Sequence, residues 1–391
     1  MPAPRPPALC WIYSANNDTT HVISELIVTP YKYVRNCWYV VGLSHEFKPN
    51  SLSGHKIAGQ SILIWRTQQG KVVAFDNRCC HKRFPLSEGR LMEDGTLECA
   101  YHGLRYNEDG KCVLIPSQAE APIPKHARAK PFPIKEQDGM VWVWTGERER
   151  CHDRSPPRTP EVIDDNWESI DSGPMHVPAN YLLLIENLLD ITHFYPLHDG
   201  NIGDLENSHI PIQHEEGEID GNRYIKQIRE VENYKQPPFL ADWFCYDIVD
   251  RHHSHCMMSP GLTRVVMRVA PPGDLGTDKE RGYVLLHTHT PIDERSHTWR
   301  WCVSCRSDHM SGGDPSISAA KRISQMFPSV VEEDRWALEK QQEMFEIPDQ
   351  GYSELYLKPD KALRRARQIF LRMMRDEQVV DEKGNFSALA Q

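Results

Sequence analysis

Apolar residues change their rhythm along the chain, and the change divides it. Between about Tyr31 and Thr145 short runs rich in β-branched and aromatic residues recur: Cys37 to Leu43, Ser61 to Thr67, Lys71 to Phe75 and Met140 to Gly146. Gln68-Gln69-Gly70, Glu93-Asp94-Gly95 and Glu108-Asp109-Gly110 supply turns between them, so the pattern predicts a small antiparallel β unit. Glu147 to Pro160 is charged and proline-rich with no apolar period, and reads as a linker. Beyond it, strand-like runs at Trp167 to Val177, Asn180 to Leu184, Arg223 to Val231, Leu262 to Val269, Tyr283 to Thr290 and Thr298 to Ser304 mix with helical periodicity at Tyr181 to His198, Ser316 to Glu346 and Asp360 to Asp376. The expected fold class is α+β, an all-β N-terminal domain followed by a domain whose antiparallel sheet embraces a long helix and encloses an apolar cavity. Four segments follow: 1–30 a flexible leader, 31–146 the β domain, 147–160 the linker and 161–391 the second domain. Gln236 to Met258 reads as a long irregular stretch suited to a lid.

The segment YLLLIENLLDITHFYPLH, Tyr181 to His198, carries the densest chemistry. Leu182, Ile185, Leu188 and Leu189 give a buried stripe, yet Asn187, Asp190, His193 and His198 lie within it and are costly to bury unless paired or metal-bound. Asp190 and His193 share a helix face by their spacing, whereas His198 points elsewhere on an ideal helix. Pro196 should bend or end the helix and swing His198 back toward His193. Two imidazoles then need a carboxylate to complete a 2-His-1-carboxylate face, the set that leaves positions open on ferrous iron.

That carboxylate is sought on SVVEEDRWALEKQQEMF, Ser329 to Phe345. Val330, Asp334, Ala337, Leu338, Gln341 and Phe345 fall on one helix face, and Glu332, Arg335, Glu339 and Glu343 on the other. Asp334 is the acid turned inward, while Glu332 and Glu333 read as solvated charge.

The β unit brings a second metal signature. Cys79-Cys80-His81 gives C-x-H and Cys99-Ala100-Tyr101-His102 gives C-x-x-H, each beside a strand-like run. Two thiolates and two imidazoles suit zinc or a [2Fe-2S] centre in which histidines replace two cysteines on one iron. One Cys and one His per loop favours the two-iron arrangement. The adjacent Cys80 thiol competes in principle, and spacing to His81 favours Cys79 as ligand. Lys82, Arg83 and Arg105 add positive charge that either steers an acidic electron donor or is plain solvated surface.

Charge and composition narrow the class. Lys+Arg 45 against Asp+Glu 55 gives net charge -10, which argues against a nucleic-acid partner, and no apolar run approaches a membrane span. Eleven cysteines, an odd number in a chain whose first residues contain proline where a signal peptide needs an apolar helix, read as reduced thiols of a cytoplasmic protein.

Taken together, DNRCCHKRFPLSEG, LECAYHGLRYNEDGKC, IENLLDITHFYPLH, HTHTPIDERSHTWRW and EEDRWALEKQQ resemble the terminal oxygenase components of Rieske non-haem iron oxygenases, most of all the vanillate O-demethylase oxygenase type, from about Asn36 to Gln342. Cys80 departs from the pattern, standing where the family commonly has proline. The resemblance implies a Rieske domain and a helix-grip catalytic domain, with Cys79, His81, Cys99 and His102 holding the [2Fe-2S] cluster and His193, His198 and Asp334 holding Fe(II). It also implies a homotrimer in which Asp190 bridges His102 of one subunit to His193 of the next. Such a carboxylate fixes the tautomer of a metal-bound imidazole.

The implied activity is hydroxylation or oxidative demethylation of a small aromatic substrate with O2. No dinucleotide fingerprint and no plant-type ferredoxin cysteine run is present, so NAD(P)H should act through a separate reductase or ferredoxin. A cis-dihydroxylating ring dioxygenase uses the same ligands. A Rieske electron-transfer protein and a non-catalytic hydrophobic-ligand-binding protein are the rivals from other classes. His287 and His289, and Trp299 with Trp301, line the cavity or lie on the outer sheet face; Asn187 bonds near the iron or is a satisfied helix asparagine. Cys302 and Cys305 lack a partner pair, and Arg251 to His255 reads as a polar loop.

Overall fold

The computed structural model describes residues 33–199, 201–309, 316–347 and 354–377. The expected leader, 1–30, lies outside the described residues. The N-terminal half contains β1 (Trp38–Leu43), β2 (Leu52–Ile57), β3 (Gln60–Arg66), β4 (Val72–Asp76), β5 (Arg90–Leu91), β6 (Leu97–Glu98), β7 (Arg105–Tyr106), β8 (Cys112–Leu114), β9 (Ile134–Gln137) and β10 (Met140–Trp144). They form three small antiparallel sheets, β1-β10-β9, β2-β3-β4 and β5-β6-β7-β8. Leu63, Trp65, Phe75, Leu86, Leu97 and Tyr106 fill the core beneath the last two sheets.

The second half is one large antiparallel sheet wrapped around helices. Its strands are β11 (Trp167–Asp171), β12 (Met175–Val177), β13 (Gln213–Ile219), β14 (Asn222–Lys235), β15 (Ile248–Ser259), β16 (Leu262–Ala270), β17 (Arg281–Asp293) and β18 (Ser296–Arg306). They run in the order β11-β18-β17-β16-β15-β14-β13, with β12 also paired to β18. The helices are α1 (Tyr181–Leu188), α2 (Phe194–Leu197), α3 (Leu205–His209), α4 (Pro238–Phe244), α5 (Ala319–Phe345) and α6 (Lys361–Glu377). This is the expected α+β arrangement.

Three local expectations need correction. Asn180 to Leu184 is helix, not strand: the Asn180 carboxamide oxygen accepts from the Leu182 amide at 2.9 Å and starts α1 as an N-cap. The helix then ends at Leu188, well before Pro196. Asp190 accepts from the Thr192 amide at 2.8 Å and its hydroxyl at 2.5 Å, a local turn that competes with helix continuation. Pro196 sits in the first turn of the short α2, where no backbone donor is required. Finally, 236–258 is not an irregular lid. It folds as α4 and then as β15, a strand laddered on both sides by β14 and β16.

The halves are packed together. Tyr39, Ile62 and Val143 from the first share a core with Tyr181, Ile185 and Phe370. Ala58 and Gly59 amides donate to Pro291 and Ile292 carbonyls at 2.7 and 2.9 Å. The 147–160 segment, expected as a linker, lies against this body: Cys151 and Thr159 are buried, and the Trp38 indole donates to the Arg154 carbonyl at 3.0 Å.

Candidate metal centres and their cavity

The two cysteine loops share one backbone design. The Cys79 amide donates to the Phe84 carbonyl and the Arg83 amide to Cys79, each at 2.9 Å. In the other loop the Cys99 amide donates to Leu104 at 2.9 Å and the Gly103 amide to Cys99 at 3.0 Å. Both close through a left-handed residue, Arg83 (φ 57°) and Gly103 (φ 70°). Each therefore presents a buried cysteine at its base and an exposed histidine toward its tip. The His81 and His102 rings meet edge to face, their centres 4.4 Å apart. The Tyr106 hydroxyl lies 3.0 Å from the Cys79 sulfur and 3.2 Å from that of Cys80, and Cys80 itself is exposed. Of the three nearby cations, Lys82 and Arg83 are exposed, but Arg105 is engaged by Glu98 at 2.9 Å.

A different kind of site forms between α1, α2 and α5. His193 Nε2 and His198 Nε2 lie 3.4 and 3.2 Å from one oxygen of Asp334, and Asn187 Nδ2 donates to the same oxygen at 2.9 Å. The ligand atoms of His193, His198 and Asp334 all fall within 4.8 Å of one another. Asp334 reaches the site because α5 buries one stripe, including Ile323, Phe327, Val330, Asp334 and Leu338. That stripe continues to Gln342, not to the expected Gln341 and Phe345, and the Gln342 side-chain oxygen accepts from the Asn180 amide at 2.9 Å.

Glu333 is also unlike its expected solvated self. Its carboxylate sits 2.6 Å from His198 Nδ1 and accepts from Asn201 Nδ2 at 3.1 Å. A proton on Nδ1 facing Glu333 leaves the Nε2 lone pair facing Asp334. Two acceptors at 3.2 Å repel unless a cation, proton or metal, stands between them, so the set fits a bound metal ion. Burial acts to lower His198, but Asp334 and Glu333 outweigh it and its pKa is raised. Burial likewise opposes the Asp334 charge, yet the two histidines hold its carboxyl well below the usual range. Asp190 is less tightly placed: Oδ2 is 4.0 Å from His193 Nδ1, which has no hydrogen-bond partner among the described residues.

The cavity beside this site is lined by Asn187, Phe194, Leu240, Tyr283, His287 and Phe327, together with Arg251, His253 and His255. It holds about 40 Å³ of space open to the centre of a water molecule, so an aromatic ring enters only as lining side chains move. Leu240 comes from α4, which places that helix over the cavity. His287 is thus a lining residue, with Nδ1 accepting from the Trp299 indole at 3.1 Å. His289 is not; it is buried further along β17 against the Pro260 carbonyl at 2.8 Å and Thr263 at 3.0 Å. Trp301 packs on Phe327, and Cys302 and Cys305 are buried in β18, where they join no group of metal-ligating side chains among the described residues. Arg251, His253 and His255 correct the polar-loop reading. Their alternation, period two, is the signal of a strand face, masked by their polarity. Burial is the largest cause in lowering His255 and His287 to about 3 each, so both are neutral at pH 7.

A Cys/His quartet on paired loops together with a 2-His-1-carboxylate set, buried at His198 and Asp334 and half-buried at His193, defines an iron oxygenase with separate electron-entry and oxygen-activating centres. Comparison places the chain within that class. Residues 37–131 match the Rieske [2Fe-2S] domain, and residues 177–376 match the vanillate O-demethylase oxygenase C-terminal domain. The chain therefore belongs to the Rieske non-haem iron oxygenases of the vanillate O-demethylase type. It is 29% identical to the toluene-4-sulfonate monooxygenase system iron-sulfur subunit of Comamonas testosteroni, over 88% of this chain and 98% of that one. It is 30% identical to the vanillate O-demethylase oxygenase subunit of a Pseudomonas strain, over 69% of this chain and 76% of the relative. The crystal structure of dicamba monooxygenase bound to 3,6-dichlorosalicylic acid superimposes with a TM-score of 0.77 at 24% identity, covering 89% of this chain and all of that chain. The chain is an enzyme of this family, a terminal oxygenase component whose cofactors are a [2Fe-2S] cluster and a mononuclear iron. Among the described residues no helix is long and apolar enough to cross a membrane.

Proposed function

We propose that this chain hydroxylates or oxidatively demethylates a small aromatic substrate, and that the convergence of His193, His198 and Asp334 beside an aromatic-lined cavity carries the reading. Cys79, His81, Cys99 and His102 hold the cluster; His193, His198 and Asp334 hold the iron. Iron at such a face supplies dioxygen activation, fed by single electrons from the cluster. Asn187 anchors Asp334, and Glu333 orients His198 by holding its Nδ1 proton, so that Nε2 faces the metal. Phe194, Tyr283 and Phe327 receive the ring and keep bulk water from the reacting carbon. A methoxyl or N-methyl carbon hydroxylated there collapses to formaldehyde and the demethylated product.

Electrons come from a separate NAD(P)H-linked reductase or ferredoxin in the cytoplasm. His81 and His102 are exposed in the single chain, which suits a head-to-tail homotrimer in which Asp190 links His102 of one subunit to His193 of the next. The 147–160 segment separates the cluster domain, 31–146, from the catalytic domain, 161–391. Reconstitution with a surrogate reductase, NADH and methoxylated aromatics tests the reading: formaldehyde stoichiometric with oxygen uptake is expected. A cis-diol product would replace demethylation with ring dihydroxylation, and absence of any substrate-dependent oxygen uptake would contradict both.

A further inference from the structure

The last helix carries a charge pattern that neither metal centre uses. Lys358, in the turn before α6, and then Lys361, Arg364, Gln368, Arg372 and Arg375 follow one another at intervals of three or four and so share one face. From Lys361 to Arg375 that face runs roughly 21 Å at about 1.5 Å per residue. Its cations are exposed, and among the described residues none of them forms an ion pair. The other arginines of the helix are matched: Arg365 by Glu216 at 2.5 Å, and Arg367 by Glu186 on α1 and by Glu354. Unmatched cations three or four apart repel one another, and their concentration here stands out in a chain of net charge -10.

The face borders open space. A groove of about 630 Å³ separates Lys361 and Arg364 from β13, whose Glu215 and Glu216 are taken by Lys226 at 3.3 Å and by Arg365. Leu357, 53% exposed, adds an apolar spot at its head. A second groove of about 200 Å³ continues past Arg372, where Arg154 and Arg223 join it against Glu218 and Asp376. An elongated positive trough with an apolar spot complements an acidic protein surface. The cluster loops of a second copy are poor occupants, since their exposed Lys82 and Arg83 meet the trough with like charge. Oxygenase activity already requires one further macromolecule, the electron donor. The position suits it: Arg367 ties α6 to Glu186, four residues before Asp190, the point to which the proposed trimer brings the next subunit's cluster.

We infer that the outward face of α6, from Lys358 to Arg375, docks the acidic protein that reduces the cluster, and that Lys82 and Arg83 at the cluster tip do not. One electron passes from the donor's iron-sulfur or flavin centre, which is oxidised, to the next subunit's cluster, which is reduced; no bond forms or breaks. This docking surface rests on the oxygenase and trimer readings and adds where the partner sits and which charge it carries.

The test is anaerobic stopped-flow reduction of the cluster in the loaded full chain by a reduced plant-type [2Fe-2S] ferredoxin, with photoreduced deazariboflavin as a small neutral donor for comparison. The ferredoxin rate in the parent should fall steeply with added salt. Reversing three exposed cations together, Lys361→Glu, Arg364→Glu and Arg372→Glu, should slow it about tenfold or more at low salt and flatten the salt dependence, since steering acts through the rate of association. The deazariboflavin rate and the oligomeric mass should not change. Lys82→Glu with Arg83→Glu should stay within about twofold of the parent. A salt-independent or undetectable ferredoxin rate in the parent, an unslowed triple variant, or a larger loss in the Lys82 and Arg83 variant would each overturn the inference. So would dissociation of the triple variant, which would make the face a contact between copies. Formaldehyde from a methoxylated aromatic in a single turnover after chemical reduction judges the oxygenase separately: product there with an unslowed triple variant sinks only the docking surface, whereas no product beside a slowed triple variant sinks only the oxygenase.

Discussion

The two metal centres are built by opposite means. The cluster residues arrive in pairs only two or three positions apart, on loops closed by their own backbone hydrogen bonds, with their histidines exposed. The proposed iron residues come from the two ends of α2 and from α5, with 136 positions between His198 and Asp334, and His198 and Asp334 are buried. The first centre is a local construction that needs only its hairpins. The second exists only once the large sheet has closed around α5, so its integrity reports on the whole catalytic half. On the proposed assignment, electrons enter where the chain is exposed and chemistry is confined where it is buried.

Removing Asp334 should break the contrast most sharply. Asp334→Ala is expected to lose the mononuclear iron and fall below about 1% of parent turnover while the cluster spectrum is unchanged. Metal analysis beside visible and paramagnetic resonance spectra checks it; retained iron would remove Asp334 from the ligand set. Asp190→Asn tests the link between the centres. Both should stay loaded, with coupled product formation reduced by roughly a hundredfold because an orienting carboxylate is lost. Loss of metal in this variant would make Asp190 structural.

Glu333→Gln sharpens the comparison further, since it disturbs only the orientation of one iron-site imidazole. Its carboxamide cannot match a carboxylate at 2.6 Å from His198 Nδ1, and iron affinity should fall about tenfold, read by competition with a chelator, with the cluster untouched. Unchanged affinity would leave Glu333 as a bystander.

A smaller effect concerns stability away from both centres. Burial is the leading cause that lowers His289 to about 3 and His297 to about 4, whereas an unfolded histidine titrates near 6.5. As pH falls below about 6.5 the unfolded chain takes protons that the folded chain refuses, so stability is lost toward the folded values. At pH 5 each histidine accounts for about 2 kcal/mol. His289→Asn should therefore flatten the fall in urea midpoint between pH 7 and pH 5, and an unaltered slope would count against the neutral buried imidazole.

What could be read from the chain follows the same division. C-x-H and C-x-x-H are legible because ligand geometry there is sequence spacing. Asp334 was legible at one remove, since helix periodicity turns it inward; Glu333, its neighbour, was hidden because an acidic run resembles solvated surface. Asp190 ends α1 through its own turn to Thr192, a competition between side chain and helix that Pro196 obscured. Arg251, His253 and His255 escaped because polarity was weighed above their alternation. A subunit contact has no signature in the residues of one chain unless it is apolar, and the exposed loops of the cluster are polar.

The central claim is that both iron centres reside in this chain. Iron, zinc and acid-labile sulfide should be measured on anaerobically purified protein, with the paramagnetic resonance spectrum taken after one-electron reduction. The account predicts a Rieske-type signal and iron in excess of sulfide, the excess lost in Asp334→Ala. Zinc without sulfide, or iron equal to sulfide in the parent protein, would contradict it.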